Sequence, residues 1–244
     1  MKYNKLLIFT LISFFICINA CSRSNNYSEE YVIVVDRKKA GKLIINEKTD
    51  IKGNLLCLSE QKMDTLGSKD KKQKIIKTKT VFQKDKFFPV SYSYEASMEA
   101  PYDVNVDDGQ IIRTLKKTEG SQIIRTPHEP GIPFLDINAF HTIDYLFRKY
   151  DFKKGGRQVF KAYLLPLATI EKLSIIPGDI NIPDHNRQAK NFEIKAKLFS
   201  IILWLDKDNR LYRIYLKNSN VEVIRTDLFE KLNNKIKQEN KKSQ

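Results

Sequence analysis

The fold class is decided by a stretch near the end of the chain, Phe192-Glu-Ile-Lys-Ala-Lys-Leu-Phe-Ser-Ile-Ile-Leu-Trp-Leu205, and by its continuation to Leu216. Apolar residues alternate with charged ones at its start, and this period of two predicts a strand with one solvated face. The polar segment Asp206-Lys-Asp-Asn209 predicts a turn, after which Arg210 to Leu216 returns as a second strand. The stretch therefore predicts one long antiparallel hairpin.

The same alternation recurs through the first half of the chain. It is regular in 76–82 and 88–95, where every second residue is apolar or threonine. A β-branched run at 31–35 leads through a turn ending at Gly41 into a second apolar run, which predicts an opening hairpin. Turns near Gly109 and Gly120 predict two further hairpins. The segment from Thr126 to Pro133 contains three prolines and a glycine, so it predicts a break in the sheet.

One segment has a helical period instead. Phe140, Ile143, Phe147 and Tyr150 are spaced three, four and three residues apart, which predicts an amphipathic helix with Asp136 as its N-cap. About ten strands and a single helix are expected in total. The predicted fold is mainly β: a single curved antiparallel sheet or half-barrel, with the helix on its concave face.

The first residues have the features of an export signal. Lys2 and Lys5 precede an apolar run of 13 residues from Leu6 to Ile18, and Ala20 precedes Cys21. The run is shorter than the roughly 20 residues of a membrane span, so a permanent transmembrane helix is not expected. The segment as a whole resembles the signal peptide and lipobox of bacterial lipoproteins. The resemblance implies cleavage before Cys21 and acylation of its thiol. An ordinary secretory signal is the alternative, which Asn19 favours.

These observations divide the chain into a lipoprotein signal peptide (1–20), a lipidated tether (21–30), a β-rich half-barrel domain (31–226) and a basic C-terminal tail (227–244). In lipoproteins of double-membraned bacteria, an aspartate after the cysteine commonly means retention in the inner membrane. Ser22 stands there in this chain. The resemblance therefore implies a lipid anchor in the outer membrane, with the domain facing the periplasm.

The chain is strongly basic, with a formal net charge of +14. Such a charge favours anionic partners, and for an exported protein these are the anionic lipids of a membrane or acidic glycans. Nucleic acid is not expected, because the lysines are spread along the chain and do not alternate with aromatic residues. The alternative is a solvated basic surface with no partner. The sequence makes no prediction of oligomeric state.

The residue types that usually carry chemistry do not form known motifs. Cys57 lies in an apolar run and is predicted to be a buried residue rather than a nucleophile. The histidines, at 128, 141 and 185, lack the spacing of metal ligands. Asp206 and Asp208 begin like a calcium loop, but the following residues do not supply the remaining ligands. We therefore expect a protein that is not an enzyme, with neither cofactor nor metal.

The Tyr31 strand with its Gly41 turn, the single helix and the hairpin from Trp204 to Arg213 resemble an uncharacterised family of exported bacterial β proteins. That family is related in shape to the half-barrels that carry lipoproteins. The resemblance implies a hollow beneath the helix for a hydrophobic or lipid-like ligand, used in envelope maintenance or transport. Six aromatic residues are the candidates for its lining: Tyr92, Tyr94, Phe140, Phe147, Trp204 and Tyr212. In the alternative, these residues are core, and the lipoprotein binds another envelope component.

Overall fold

A computed structural model describes residues 27–64, 73–83, 88–136, 139–178 and 190–242, with the backbone alone at 235–237 and 239–242. The two α-helices of these residues are α1 (His141–Phe147) and α2 (Thr226–Lys242), and a 3₁₀ turn spans Lys217–Ser219. The strands are β1 (Tyr27–Val35), β2 (Lys38–Thr49), β3 (Leu55–Asp64), β4 (Gln73–Phe82), β5 (Pro89–Ala96), β6 (Glu99–Asp107), β7 (Gln110–Lys117), β8 (Gly120–Pro127), β9 (Phe134–Leu135), β10 (Gln158–Leu164), β11 (Thr169–Pro177), β12 (Lys190–Lys195), β13 (Ser200–Leu205), β14 (Leu211–Leu216) and β15 (Val221–Arg225).

All fifteen strands belong to one sheet, in the order β8-β7-β6-β5-β4-β3-β2-β1-β15-β14-β13-β12-β11-β10-β9. Neighbouring strands are antiparallel, except that β9 and β10 are parallel. From β1 the chain runs outward to the β8 edge, then continues at the opposite edge with β9 and returns to β1 through β15. The predicted fold class is confirmed: the protein is mainly β, with one open, curved sheet.

The connection between the two edge strands requires this sheet to be rolled. β8 ends at Pro127 and β9 begins at Phe134. Seven residue steps span at most about 25 Å, whereas the edges of a flat fifteen-stranded sheet would lie about 67 Å apart at roughly 4.8 Å per strand. The two arms of the sheet therefore face each other and enclose an interior.

Two apolar clusters fill the concave side. The larger surrounds α1, whose seven residues are all buried, with side chains from strands such as β1, β2 and β12 to β14. The smaller joins β5 and β6 on one arm to β9 and β10 on the other, for example through Tyr92 and Tyr163. A third cluster lies on the convex side, where α2 places Leu228 against Val32 and Trp204.

The closing stretch differs from its prediction. Its first part is two strands, β12 and β13, joined by a turn in which the Ala196 backbone N–H donates to the Phe199 carbonyl oxygen at 3.0 Å. Ile194 and Ile201 face each other across the hairpin, and both are buried. The turn thus preserves the alternation and contains neither glycine nor proline, so the sequence pattern does not reveal it. This turn adds one strand to the predicted number, and the described residues form fifteen strands where about ten are expected.

The opening hairpin is also tighter than predicted. Its turn consists of Asp36 and Arg37, with φ of 49° and 63°, and β1 already begins at Tyr27, within the predicted tether. Gly41 lies inside β2, where neighbouring β3 approaches closely. A Cβ at Gly41 would lie 2.1 Å from the carbonyl oxygen of Lys62. This glycine is therefore required for strand pairing and not for the turn.

The predicted helix is present, but the prediction of its N-cap is wrong. Phe140 occupies the cap position without a side-chain cap hydrogen bond. Asp136 is completely buried and accepts hydrogen bonds from the Tyr92 hydroxyl at 2.7 Å and the Tyr102 hydroxyl at 2.8 Å. The segment after residue 226, which the sequence indicates only as a basic tail, belongs to the 17-residue helix α2 as far as Lys242. Within the described residues, neither helix combines the length and hydropathy needed to cross a membrane.

Candidate functional site

The six aromatic residues predicted to line a hollow are all buried, with exposed fractions between 1% and 9%. Tyr92 and Tyr94 belong to the smaller interior cluster, and Phe140 and Phe147 belong to the cluster around α1. Trp204 and Tyr212 lie on the opposite face of the sheet, beneath α2. The six candidate residues therefore lie in three packed clusters, two in each cluster.

Two of the other candidate residues, Cys57 and His141, are buried side chains with shifted pKa values. Cys57 is buried in the cluster around α1, and burial raises the pKa of its thiol to about 12. Burial lowers the pKa of His141 to about 3, and its Nε2 lies 3.3 Å from Thr78 Oγ1. Cys21 and His185 lie outside the described residues. Among the residues that the structure does describe, no three His, Cys, Asp or Glu side chains are placed to hold a metal ion.

An ion-pair cluster of Glu47, Asp144, Arg148 and Arg210 lies at one end of the interior, with its carboxylates buried and its guanidinium groups partly exposed. Glu47 Oε1 lies 2.7 Å from Arg148 Nη2 and 2.7 Å from Arg210 Nη2, and it also accepts a hydrogen bond from the Tyr145 hydroxyl at 3.0 Å. Asp144 Oδ2 lies 3.4 Å and 3.3 Å from the same two guanidinium groups. The ion-pair cluster therefore connects β2, α1 and the residue before β14.

The charges in the ion-pair cluster balance. Burial alone would raise the pKa of Glu47, but Arg148, Arg210 and the Tyr145 hydroxyl outweigh that effect, and the pKa is lowered. Burial opposes the charge of Arg210, yet the carboxylates of Asp144 and Glu47 raise its pKa. Glu47 is thus ionised at neutral pH, and the ion-pair cluster sets two carboxyl side chains against two guanidinium groups. We interpret the ion-pair cluster as a connection between α1 and the sheet.

These charged residues were not predicted from the sequence, although the sequence contains one signal of them. Glu47 follows Leu43 and Ile45 at a spacing of two, and all three side chains are buried on the same face of β2. A carboxylate in phase with apolar residues indicates an inward-facing charge, which requires a buried partner. The identity of the partner depends on the fold, because Arg210 is 163 residues away in the chain.

An open polar cleft of about 580 Å³ lies beside this cluster. We call it the β1–α2 cleft. Its walls are the start of β1, the β13–β14 turn, the end of β15 and the start of α2. Its deeper lining includes Tyr27, Glu29, Arg210, Tyr212 and Arg225. Tyr212 is the one candidate aromatic residue that lines it.

Arginines on tyrosine rings shape the β1–α2 cleft. The guanidinium carbon of Arg210 lies 4.0 Å from the centre of the Tyr27 ring, and that of Arg225 lies 5.2 Å from the Tyr212 ring. Such cation–π contacts hold the charged groups in place. Arg225 also pairs with Asp206 at 2.7 Å, which attaches the end of β15 to the β13–β14 turn. The lining is therefore fixed by contacts within the protein.

Comparison with known proteins supports the fold and goes no further. No protein-family model matches the chain, and no curated protein matches it. One similar solved structure is the crystal structure of a β-barrel-like protein of domain of unknown function DUF1849 from Brucella abortus. It has a TM-score of 0.54 and 10% sequence identity, and the match covers 82% of this chain and 94% of that one. At this identity the likeness shows a shared β-barrel-like fold alone.

Proposed function

We propose that the protein is a lipid-anchored, non-enzymatic component of the cell envelope that binds another envelope component at its surface. The observation that carries this proposal is the packing of the six candidate aromatic residues. Each is at most 9% exposed, and they fill three separate clusters instead of facing one space. A packed interior favours recognition at the surface over storage of a ligand inside.

In this proposal, acylated Cys21 anchors the protein in the outer membrane, and the folded domain faces the periplasm. The lipobox resemblance supports it, and two or more acyl chains hold a protein at a membrane far more firmly than one chain. The recognition surface in this proposal is the β1–α2 cleft. It is supported by its volume, which lies in the range of known ligand pockets, and by the polar and charged side chains that converge in it.

Phe147→Ala distinguishes this proposal from the carrier hypothesis, in which a hollow beneath α1 holds a hydrophobic or lipid-like ligand. Phe147 is 1% exposed, and its ring centre lies 5.1 Å from that of Phe192. In a filled core the variant loses about 3 to 5 kcal/mol of unfolding free energy, because a void replaces the ring. Denaturant midpoints measure this loss, and an environment-sensitive apolar dye reports any hollow in the wild type.

The control is Ile123→Ala, since Ile123 is 54% exposed on the edge strand β8 and its truncation should cost less than about 0.5 kcal/mol. A large loss for Phe147→Ala and no dye binding by the wild type support surface recognition. If the wild type binds dye, and Phe147→Ala weakens that binding with little loss of stability, the interior holds a ligand and the carrier hypothesis replaces this proposal.

A further inference from the structure

The β1–α2 cleft contains polar atoms that the described residues leave without partners. Arg210 Nε and the Thr226 hydroxyl are buried, and each lacks a hydrogen-bond partner among those residues. Buried polar atoms are nearly always paired in native proteins, so two in one cleft indicate a missing partner. Both can donate a hydrogen bond, and together they suit an anionic oxygen group.

Arg210 is positioned for that role before any ligand arrives. Its Nη2 is held by Glu47 at 2.7 Å, and its guanidinium group lies over the Tyr27 ring. These contacts fix the plane of the guanidinium group and hence the direction of its Nε–H group. A donor that is already oriented loses little conformational freedom when it binds a ligand.

The cleft also contains a carboxylate that is poorly neutralised. Glu29 is half-buried and lies 3.9 Å from Arg225 Nε, at the limit of an ion pair. Arg225 is already engaged by Asp206 and Asp227, at 2.7 Å and 2.8 Å. Burial raises the pKa of Glu29 above its ordinary value, although Arg225 opposes the rise. A ligand cation beside Glu29 would therefore be stabilised.

The position of the cleft in the chain indicates where such a ligand is found. Tyr27 lines the cleft and follows Cys21 by six residues. Six residue steps span at most about 22 Å. If Cys21 is acylated, as the proposed function requires, the cleft lies within reach of the lipid headgroups.

From these observations we propose that the β1–α2 cleft binds an ethanolamine phosphate group, with its ammonium on Glu29 and its phosphate oxygens on Arg210 Nε and the Thr226 hydroxyl. The ammonium has three N–H donors for the carboxylate. A choline phosphate has none, and inorganic phosphate brings only negative charge to Glu29. The same group occurs in a phospholipid headgroup and in soluble phosphate esters, and both sources have the required chemistry.

The test is calorimetric titration of the full-length protein in phosphatidylcholine nanodiscs with O-phosphoethanolamine, phosphocholine and inorganic phosphate. O-phosphoethanolamine is expected to bind at least tenfold more tightly than the other two. Glu29→Gln should weaken it about tenfold, and Thr226→Val should weaken it severalfold. Glu119→Gln, on the exposed β7–β8 turn, is the matched control and should leave binding unchanged. Unchanged melting temperatures show that the variants are folded.

Equal affinity for inorganic phosphate, no binding of O-phosphoethanolamine, or an unaffected Glu29→Gln variant would each overturn the site. Replacing half of the phosphatidylcholine by phosphatidylethanolamine identifies the source. Weaker apparent binding of the soluble probe means that bilayer headgroups occupy the cleft, and unchanged binding assigns the site to a soluble ester. Fatty-acid labelling of Cys21 tests the anchor separately, so unlabelled protein that still binds the probe refutes the anchoring and retains the site.

Discussion

Replacing Glu47 by leucine should strongly destabilise the protein, because it removes the shared acceptor of the ion-pair cluster. Glu47 is 7% exposed and accepts from Arg148, Arg210 and Tyr145 at 2.7 to 3.0 Å. After the change, two guanidinium groups of the cluster face the single carboxylate of Asp144. Leucine is similar in volume, so the effect is one of charge and hydrogen bonding and not of a cavity.

Removing one partner from a buried ion pair typically costs about 3 to 5 kcal/mol, because the opposite charge is left uncompensated. If the unfolding free energy falls by about 2 kcal/mol for each molar of urea, the urea concentration at the unfolding midpoint should decrease by about 2 M. The control is Glu60→Leu. Glu60 pairs with Lys62 at 2.5 Å, but both side chains are more than one third exposed on the neighbouring strand. Exposed pairs contribute about 0 to 1 kcal/mol, so this variant should shift the midpoint little.

The dependence on pH provides a second measurement. The pKa of Glu47 is lowered in the folded protein from its ordinary value of 4.5. The stabilisation by its carboxylate is therefore fully present above about pH 4.5 and is lost as the pH falls through the folded-state pKa. The wild type and Glu47→Leu should differ most near neutral pH and converge in acid. A loss at pH 7 no larger than that of Glu60→Leu, or a difference that grows in acid, would refute this account.

Three further predictions follow from other features. Gly41→Ala should lower the unfolding free energy measured in urea by about 1 to 3 kcal/mol, because the alanine Cβ would lie 2.1 Å from the Lys62 carbonyl oxygen of β3; a variant as stable as the wild type would contradict the close approach. Cys21→Ala should abolish incorporation of a radioactive fatty acid, and absence of label from the wild type would contradict the lipid anchor. In vesicle sedimentation, the non-lipidated domain should bind acidic vesicles through its basic surface and release them as salt rises, since charges are screened beyond about 8 Å at physiological ionic strength; equal binding of this domain to neutral vesicles would exclude electrostatic recognition.

The sequence alone predicted which face of several strands is buried. In β4, Ile76, Thr78, Thr80 and Phe82 are buried, while Lys77 and Lys79 are exposed, as the alternation predicts. The spacing of Phe140, Ile143 and Phe147 likewise located α1. These features depend on neighbours close in the chain, because the periods of strand and helix determine which side chains share a face.

Only the tertiary structure decided which faces meet. Trp204 and Leu205 are adjacent in the chain, yet β13 places Trp204 beneath α2 and Leu205 in the interior around α1. Arg210 meets Glu47 because the rolled sheet and α1 bring together residues 163 positions apart. Alternation in a strand determines the side of the sheet, whereas the partner of each side chain depends on curvature and strand order. For this reason the sequence predicted a β-rich protein with one buried helix, and the β1–α2 cleft became visible only in the folded chain.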